Sequence, residues 1–327
     1  MKVGFLGAGL HAANMAYTMF NMKDTVELYA VAARDLERAR QFADKYGFEK
    51  AYGNYEDMLK DNEVELVFIS TTIAMHYDHI KMCLAHGRHV LCEKGFVLNK
   101  KQAEEVFDMA EKKGLLLTEA IWTRYMPSRR LLDEILESGI IGNATSLNAN
   151  LGYSLAHIER LQDIALGGGT VLDLTIYTLN FACMAFKEKV TDIRAVCTKT
   201  DRGVDGQNSV ALLFEGGKIA HLFSSFLVQT DRRGVIYGDK GYIEVQNINN
   251  CEKITVYNLD REVVLEKIVP GQITGLEYEV LSCEKALREG RIECPEMPHK
   301  ETLRMMGIMD EIRRQLGVVF PQEEAQG

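Results

Sequence analysis

The chain has 327 residues, of which 46% are hydrophobic and 26% are charged, a composition typical of globular proteins. Its 47 acidic and 38 basic residues give a net charge of −9, which argues against a nucleic-acid partner because such proteins present a basic face. The most apolar segment carries Asp173 and Asn180 and is too short for a membrane span, and seven cysteines without a CxxC pair indicate reduced thiols in the cytoplasm.

The first 120 residues alternate apolar, strand-like runs with amphipathic, helix-like segments. The strand-like runs are VGFLG, ELYAVAA, VELVFIS, HVLC and LLLTEA. Strands that alternate with helices indicate βαβ units around a parallel sheet. The length of the chain favours two domains. We therefore predict an α/β fold whose first domain, residues 1–121, is a doubly wound Rossmann domain.

The pattern changes after residue 122. A helix-like segment and a strand lead to a glycine-rich approach to a long helix, and residues 191–270 then read as strands and tight turns. Hairpins are expected at Gly216–Gly217 and at Gly238–Gly241. Residues 122–327 are thus predicted to form an α+β substrate and oligomerisation domain with a largely antiparallel open sheet. The final helix, over about 299–316, could pack back on the Rossmann domain.

The first predicted turn has the pattern of a dinucleotide-binding site. Residues 7–12 read Gly-Ala-Gly-Leu-His-Ala, which matches G-x-G-x-x-G/A between a strand and a helix. Gly7 allows the tight turn, Gly9 lets the backbone approach a pyrophosphate, and Ala12 permits close helix packing. Gly7, Gly9, Leu10 and Ala12 are therefore predicted to bind the cofactor, and a plain glycine turn is the less favoured alternative.

The end of the second predicted strand favours NADP. Proteins that bind NAD usually place an acid there for the ribose 2′-hydroxyl, whereas this chain has Ala33, followed by Arg34 and Arg38. A guanidinium suits a 2′-phosphate because it can donate two parallel hydrogen bonds. Solvated arginines at a helix start, beside Asp35, are the alternative. The prediction is NADP, with NAD as the second choice.

Two further polar pairs interrupt apolar patterns. Glu93 and Lys94 end a predicted strand, where open α/β sheets carry their active sites; a weak surface ion pair is the alternative. Asp173 and Tyr177 are four residues apart in an apolar helix, so they share one face and need partners if that face is buried. Beside a nicotinamide they become a candidate substrate clamp and proton donor, although an ordinary helix would also explain them.

In combination these motifs resemble a known family. The GAGxxA turn, the EK at a strand end and the GGGxxxDxxxY helix are similar to the glucose–fructose oxidoreductase/inositol dehydrogenase (Gfo/Idh/MocA) family. The segments VAARDLERA, LCEK, TEAIWTRYMP and GGGTVLDLTIY resemble its dimeric dihydrodiol dehydrogenase/NADP-dependent D-xylose dehydrogenase branch. The resemblance implies metal-free hydride transfer between NADP(H) and a sugar or cyclic diol. It also implies a homodimer or higher homo-oligomer, formed through the C-terminal sheet.

The resemblance also assigns roles to single residues. By position, the catalytic residues are Lys94, Asp173 and Tyr177, the additional cofactor-binding residues are Thr71 and Glu93, and the substrate-binding residues are Trp122, Arg124 and His76. Gly95 departs from the family, which has proline after the lysine. Two other functions stay open: NAD-dependent glycosidase chemistry with retained cofactor, and a non-catalytic nucleotide-sensing protein.

The remaining histidines give no metal signal. The pairs His76/His79 and His86/His89 lack the spacing with an acid that a motif such as HExxH requires. From their pattern alone they are expected at helix surfaces or in turns, and no metal is predicted. His11 lies in the predicted turn at residues 7–12, called the phosphate turn below, and its role stays open.

Overall fold

A computed structural model of the chain describes residues 1–324, which group into two compact units. The first unit comprises Met1–Tyr125 and Gln272–Arg304. The second comprises Met126–Gly271 and the chain from Met305 onward. Each unit has its own sheet.

The sheet of the first unit has six strands: β1 (Lys2–Leu6), β2 (Glu27–Ala32), β3 (Lys50–Tyr52), β4 (Leu66–Ile69), β5 (His89–Glu93) and β6 (Leu117–Ala120). All pair in parallel, in the spatial order β3-β2-β1-β4-β5-β6, which confirms the Rossmann prediction. Strands β1 and β4 lie at its centre, where Phe5 packs edge-to-face on Phe68 at 5.0 Å between ring centroids. The strand order reverses between β1 and β4, which is where such sheets bind ligands.

Five helices connect these strands: α1 (Leu10–Phe20), α2 (Leu36–Tyr46), α3 (Tyr55–Leu59), α4 (Ile73–Ala85) and α5 (Lys100–Lys113). Side chains cap three of them: Asp35 accepts the N–H of Arg38, Asn54 that of Asp57, and Asn99 that of Gln102. Strand β3 was not predicted, because three residues are too few to show a period-two alternation.

The sheet of the second unit has eight strands: β7 (Ala144–Gly152), β8 (Val190–Lys199), β9 (Asp205–Phe214), β10 (Ile219–Ser225), β11 (Gly234–Gly238), β12 (Gly241–Val245), β13 (Lys253–Asn258) and β14 (Val263–Ile268). They lie in the order β14-β13-β12-β11-β7-β10-β9-β8. Only β7 and β10 pair in parallel, so the prediction of a largely antiparallel sheet is confirmed.

Six helices follow in chain order: α6 (Pro127–Glu137), α7 (Glu159–Gln162), α8 (Ile176–Ala185), α9 (Glu277–Arg288), α10 (His299–Leu316) and α11 (Pro321–Glu324). Helix α10 has the predicted bounds, whereas α9 was not predicted. The prediction of one long helix after the glycine-rich segment is wrong in one respect. A turn of π-helix, Val171–Thr175, precedes α8, and short 3₁₀ turns occur at Trp122–Arg124 and Ile164–Leu166.

Residues Gln272–Arg304, which the sequence prediction grouped with 122–327, cluster with the first unit. Nε2 of His299 donates to the carbonyl oxygen of Leu117 at 2.8 Å, and Oγ1 of Thr302 donates to Oε2 of Glu119 at 3.1 Å. Both contacts reach β6, so the chain returns to the Rossmann sheet after the second sheet is complete.

Candidate active site

The phosphate turn joins β1 to α1 in an open conformation. Gly7 has a φ of +106°, and a Cβ there would lie 3.1 Å from the carbonyl oxygen of Ser70, so this position requires glycine. Around Gly9 no atom would lie within 4 Å of an added Cβ. Ala12 is fully buried against the sheet, and the side chain of Leu10 is 87% exposed. The N–H groups at the start of α1 are therefore accessible to an anion, as a pyrophosphate requires.

Two arginines lie beside this turn, at the end of β2. Ala33 is buried, and Asp35 serves as the N-cap of α2, with Oδ1 accepting the N–H of Arg38 at 2.8 Å. Nη2 of Arg38 donates to the carbonyl oxygen of Ala8 at 3.0 Å, which links α2 to the phosphate turn. Arg34 is exposed. The carboxylate of Asp35, next to Arg34 in the sequence, is thus engaged in capping α2.

An aromatic residue completes the surroundings of these arginines. Tyr55 is half-buried; burial raises its pKa, while the charges of Arg34 and Arg38 oppose that rise. The ring of Tyr55 contacts His79 edge-to-face at 4.9 Å between centroids. Nδ1 of His79 lies 2.9 Å from Oγ1 of Thr71, at the end of β4. Tyr55 and His79 were not predicted as site residues, because their contacts are long-range.

Glu93 and Lys94 stand at the carboxyl end of β5, as predicted. The side chain of Glu93 is 7% exposed, and its Oε1 lies 2.6 Å from Nε2 of His11, in the first turn of α1. Lys94 is half-buried. The His11–Glu93 contact joins the phosphate turn to the strand end that carries Lys94. No local spacing in the sequence connects these residues, which is why the role of His11 stayed open.

His76 braces the turn that follows Lys94. Its ring is fully buried, with Nε2 3.1 Å from the carbonyl oxygen of Thr71 and Nδ1 3.1 Å from those of Gly95 and Phe96. Burial lowers the pKa of His76, and a neutral ring can donate to only one of these two sides at a time. All peptide bonds in residues 1–324 are trans. The histidine thus holds the turn at which the resembled family has proline.

The expectation that His76 and His79 lie at a helix surface is wrong. Their exposed fractions are 0% and 4%, because both project from α4 toward the ends of β4 and β5. Burial also lowers the pKa of His79 to about 4, so its ring is neutral at pH 7. Since both ring nitrogens of His76 face backbone carbonyls, a positioning role fits it better than the predicted contact with substrate.

Trp122 and Arg124 lie in the 3₁₀ turn after β6. Nη2 of Arg124 donates to Oε1 of Glu301, in α10, at 2.6 Å, and Arg124 is only 9% exposed. Trp122 is half-buried, and a Cβ on Gly275 would lie 2.6 Å from its ring. Both side chains are thus held in defined positions. Their contact with substrate stays a prediction.

In the second unit, the pair predicted from helical spacing is buried. Asp173 is 5% exposed and lies within the π-turn Val171–Thr175, and Tyr177, 6% exposed, lies in the first turn of α8. Both Nη1 and Nη2 of Arg160 donate to Oδ1 of Asp173 at 3.2 Å. The sequence indicated that a buried Asp173 needs a partner, but it did not identify Arg160.

Within residues 1–324, no group of three or more His, Cys, Asp or Glu side chains is arranged to hold a metal ion. Over the same residues, no helix combines the length and the apolar character that a membrane crossing requires.

Comparisons with known proteins identify the relatives of this chain. Residues 1–121 match the GFO/IDH/MocA oxidoreductase family with an NAD-binding Rossmann fold, and residues 130–244 match the GFO/IDH/MocA C-terminal domain. The chain is 33% identical to trans-1,2-dihydrobenzene-1,2-diol dehydrogenase of Macaca fascicularis and 32% identical to that of Homo sapiens, over 99% of both chains in each case.

Two solved structures share the fold. The 3-ketoreductase KijD10 from Actinomadura kijaniata, in complex with NADP and TDP-benzene, superposes with a TM-score of 0.87 at 22% identity, covering 97% of this chain and 98% of that one. Levoglucosan dehydrogenase, in complex with NADH and L-sorbose, superposes with a TM-score of 0.86 at 18% identity, covering 97% and 96%.

Proposed function

The chain belongs to the Gfo/Idh/MocA oxidoreductase family, and we propose that it transfers a hydride between NADP(H) and a secondary alcohol or hemiacetal of a sugar or cyclic diol. At the level that the comparisons support, it is an NAD(P)-binding oxidoreductase acting on CH–OH groups. One observation supports the more specific proposal of hydride transfer with NADP(H). The open phosphate turn lies beside Arg34 and Arg38, at the strand ends where Lys94 follows β5.

The nicotinamide cofactor, when bound, accepts or supplies the hydride. The residues proposed to hold it are the backbone of the phosphate turn at Gly7–Ala12, the guanidinium groups of Arg34 and Arg38, and the strand-end residues Thr71 and Glu93. The turn fits a pyrophosphate because Gly9 leaves its backbone uncovered. The arginines fit a 2′-phosphate because guanidinium groups bind phosphate through two parallel hydrogen bonds.

The reacting hydroxyl group needs a base and an orienting acceptor. We propose that Tyr177 and Lys94 carry the proton transfer, since an ammonium group favours the phenolate form of a phenol that comes close to it. Asp173 is proposed to accept a hydrogen bond from a neighbouring substrate hydroxyl. The guanidinium of Arg160 lies 3.2 Å from Oδ1 of Asp173, and a carboxylate can only accept hydrogen bonds. Trp122 is proposed to cover the apolar face of the substrate ring, with Arg124 nearby.

Replacement of Arg34 by alanine should weaken NADP⁺ binding and leave NAD⁺ binding unchanged. Hydrogen bonds to a charged group contribute about 1.5–3 kcal/mol, so the loss should be about 10- to 100-fold in affinity. Calorimetric titration of the protein with each cofactor measures the affinities for NADP⁺ and for NAD⁺. The matched control is Arg40→Ala, which replaces an exposed arginine in α2, the helix that follows Arg34. An equal effect on both cofactors, or none, would contradict a role in reading the 2′-phosphate.

The proposed activity is tested by following nicotinamide absorbance with NADP⁺ and with NAD⁺. The panel should contain aldoses such as D-xylose, inositols, and cyclic diols such as trans-cyclohexane-1,2-diol. Turnover with NADP⁺ on one of these classes supports the proposal. Cleavage of a glycoside without net reduction of cofactor would instead indicate glycosidase chemistry. Tight cofactor binding without turnover in either direction would indicate a nucleotide sensor.

We also propose that the chain forms a homodimer or higher homo-oligomer through the open face of the second sheet. One cross-strand row on that face is mostly apolar or aromatic: Leu213, Ile219, Ser146, Tyr237, Tyr242, Tyr257 and Val263. The rings of Tyr242 and Tyr257 stack at 4.7 Å. Contiguous apolar patches of this kind usually mark interfaces.

Sedimentation velocity tests the oligomer. The intact chain should sediment as a dimer or larger, and Tyr242→Glu should shift it to the monomer, because the new charge would be desolvated in the interface. A monomeric wild-type chain would exclude this interface.

A cytoplasmic location is proposed as well, since all seven cysteines carry free thiols.

A further inference from the structure

Two side chains of strand β9 hold the π-turn that carries Asp173. Asp205 contacts the start of the turn, and Asn208, three residues along the strand, contacts its last residue, Thr175. We propose that Asp205 and Asn208 are positioning residues, which fix the π-turn Val171–Thr175 and thereby aim the carboxylate of Asp173. The inference rests on the proposed function in so far as Asp173 binds the substrate.

The contacts of Asp205 fix the N-terminal end of the π-turn. Its Oδ2 accepts the backbone N–H of Val171 at 3.1 Å and Nδ2 of Asn208 at 2.9 Å, and its carbonyl oxygen accepts Oγ1 of Thr170 at 2.9 Å. Gly169 has a φ of +111°, and a side chain there would overlap Oδ1 of Asp205. The close approach of this carboxylate therefore depends on glycine, and it supplies an acceptor for an N–H group at the helix start.

The contacts of Asn208 fix the C-terminal end of the π-turn. Oγ1 of Thr175 lies 3.1 Å from Oδ1 and 2.9 Å from Nδ2 of Asn208, which is 2% exposed. Oγ1 of Thr178 donates to the carbonyl oxygen of Thr175 at 3.0 Å. The turn is thus fixed to one rigid strand at both ends. Isolated π-turns are rare and cluster at functional sites, because the α-helical alternative is normally preferred.

Stability does not explain the carboxylate of Asp205. Burial raises its pKa to about 7, above the value of about 3.9 for an unfolded chain. A carboxyl group whose pKa is higher in the folded state lowers stability as the pH rises from about 4 to about 7, and the penalty is complete above that range. Cys197, on β8, is a titratable neighbour, and its own pKa is raised by burial and then by the charge of Asp205. The hydrogen bonds to Thr170, Val171 and Asn208, rather than the charge, therefore assign Asp205 its role in placing the turn.

The test compares Asp205→Ala, Asp205→Asn and a control, Asp201→Ala, which removes an exposed carboxylate from the loop before β9. Hydrogen exchange over residues 169–181 of the full chain reports the turn, and NADP⁺ titration reports the first unit. The values of kcat and KM are measured with the best substrate of the aldose, inositol and diol panel. Crystal structures of the variants locate the carboxylate of Asp173.

Asp205→Ala should speed exchange in the turn about 10-fold, as expected for loss of one hydrogen bond. It should also lower kcat about 10- to 100-fold through displacement of Asp173, with NADP⁺ affinity unchanged. Asp205→Asn keeps an acceptor for Val171 and should restore most of kcat without lowering the melting temperature at pH 8. Asp201→Ala should behave as the wild type. If Asp205→Ala does not fold, Asn208→Ala releases the other end of the turn and replaces it.

Unchanged exchange and an unmoved Asp173 in Asp205→Ala would overturn the inference. So would a fall in kcat accompanied by an equal loss of NADP⁺ binding, since that pattern indicates general destabilisation. If the wild-type chain turns over no member of the panel, the proposed function fails separately. The exchange rates and the position of Asp173 then still decide whether Asp205 and Asn208 hold the turn.

Discussion

Replacement of Lys94 by alanine should lower kcat by about 10²- to 10⁴-fold, the range that positioned proton-transfer groups contribute. The variant loses the lysine side chain beyond Cβ, but the backbone turn after Lys94 stays braced by His76, and Glu93 still contacts His11 in the phosphate turn. NADP⁺ affinity should therefore change little. Steady-state kinetics combined with cofactor titration measures both quantities.

Lys101→Ala is the matched control, because this exposed lysine lies shortly after the same turn, in α5. It should retain wild-type kcat. If Lys94→Ala keeps near-wild-type turnover, the assignment of the lysine to proton transfer is wrong. If it loses turnover and NADP⁺ binding together, Lys94 acts on the cofactor rather than on the substrate hydroxyl.

Tyr177→Phe should lower kcat by about 10²- to 10³-fold with little change in KM, because it removes only the proton-transferring hydroxyl group. The ring stays in its buried position at the start of α8, so packing is preserved. Tyr237→Phe removes a phenolic hydroxyl from the open face of the second sheet and should leave kcat unchanged. A large rise in KM with kcat intact would instead assign Tyr177 to substrate binding.

The two variants also separate the possible bases. If Tyr177 is the base and Lys94 stabilises its phenolate, the double variant Lys94→Ala/Tyr177→Phe should be scarcely slower than the worse single variant, since groups that act as a unit are strongly non-additive. Additive losses would show that the two residues serve different steps. The comparison needs only the kinetic assay of the single variants.

Local sequence was sufficient for the cofactor turn. Gly7, Gly9 and Ala12 are adjacent in the chain, and their conformational requirements are set by a strand, a turn and a helix that follow one another. For the same reason the bounds of α10 could be predicted from apolar periodicity alone. The strand end at Glu93 and Lys94 was predictable because a buried apolar run stops there.

Contacts between distant segments were not predictable in the same way. The buried positions of His76 and His79, the pairing of Arg160 with Asp173, and the joining of His11 to Glu93 each depend on which loops the sheets bring together. The π-turn was misread as part of an α-helix because its sequence, VLDLT, has ordinary helical character. Its conformation is selected by Asp205 and Asn208, on a strand that comes later in the chain.

The sequence by itself determined the two kinds of sheet, the phosphate turn, the oxidoreductase family and the identity of the candidate catalytic residues, because each of these depends on neighbouring residues or on a short motif. Only the tertiary structure decided which partners hold those residues: His76 on the turn after Lys94, Arg160 on Asp173, and β9 on the π-turn. The physical reason is that a buried polar group must find a hydrogen-bond partner, and the fold, not the local sequence, brings that partner within reach.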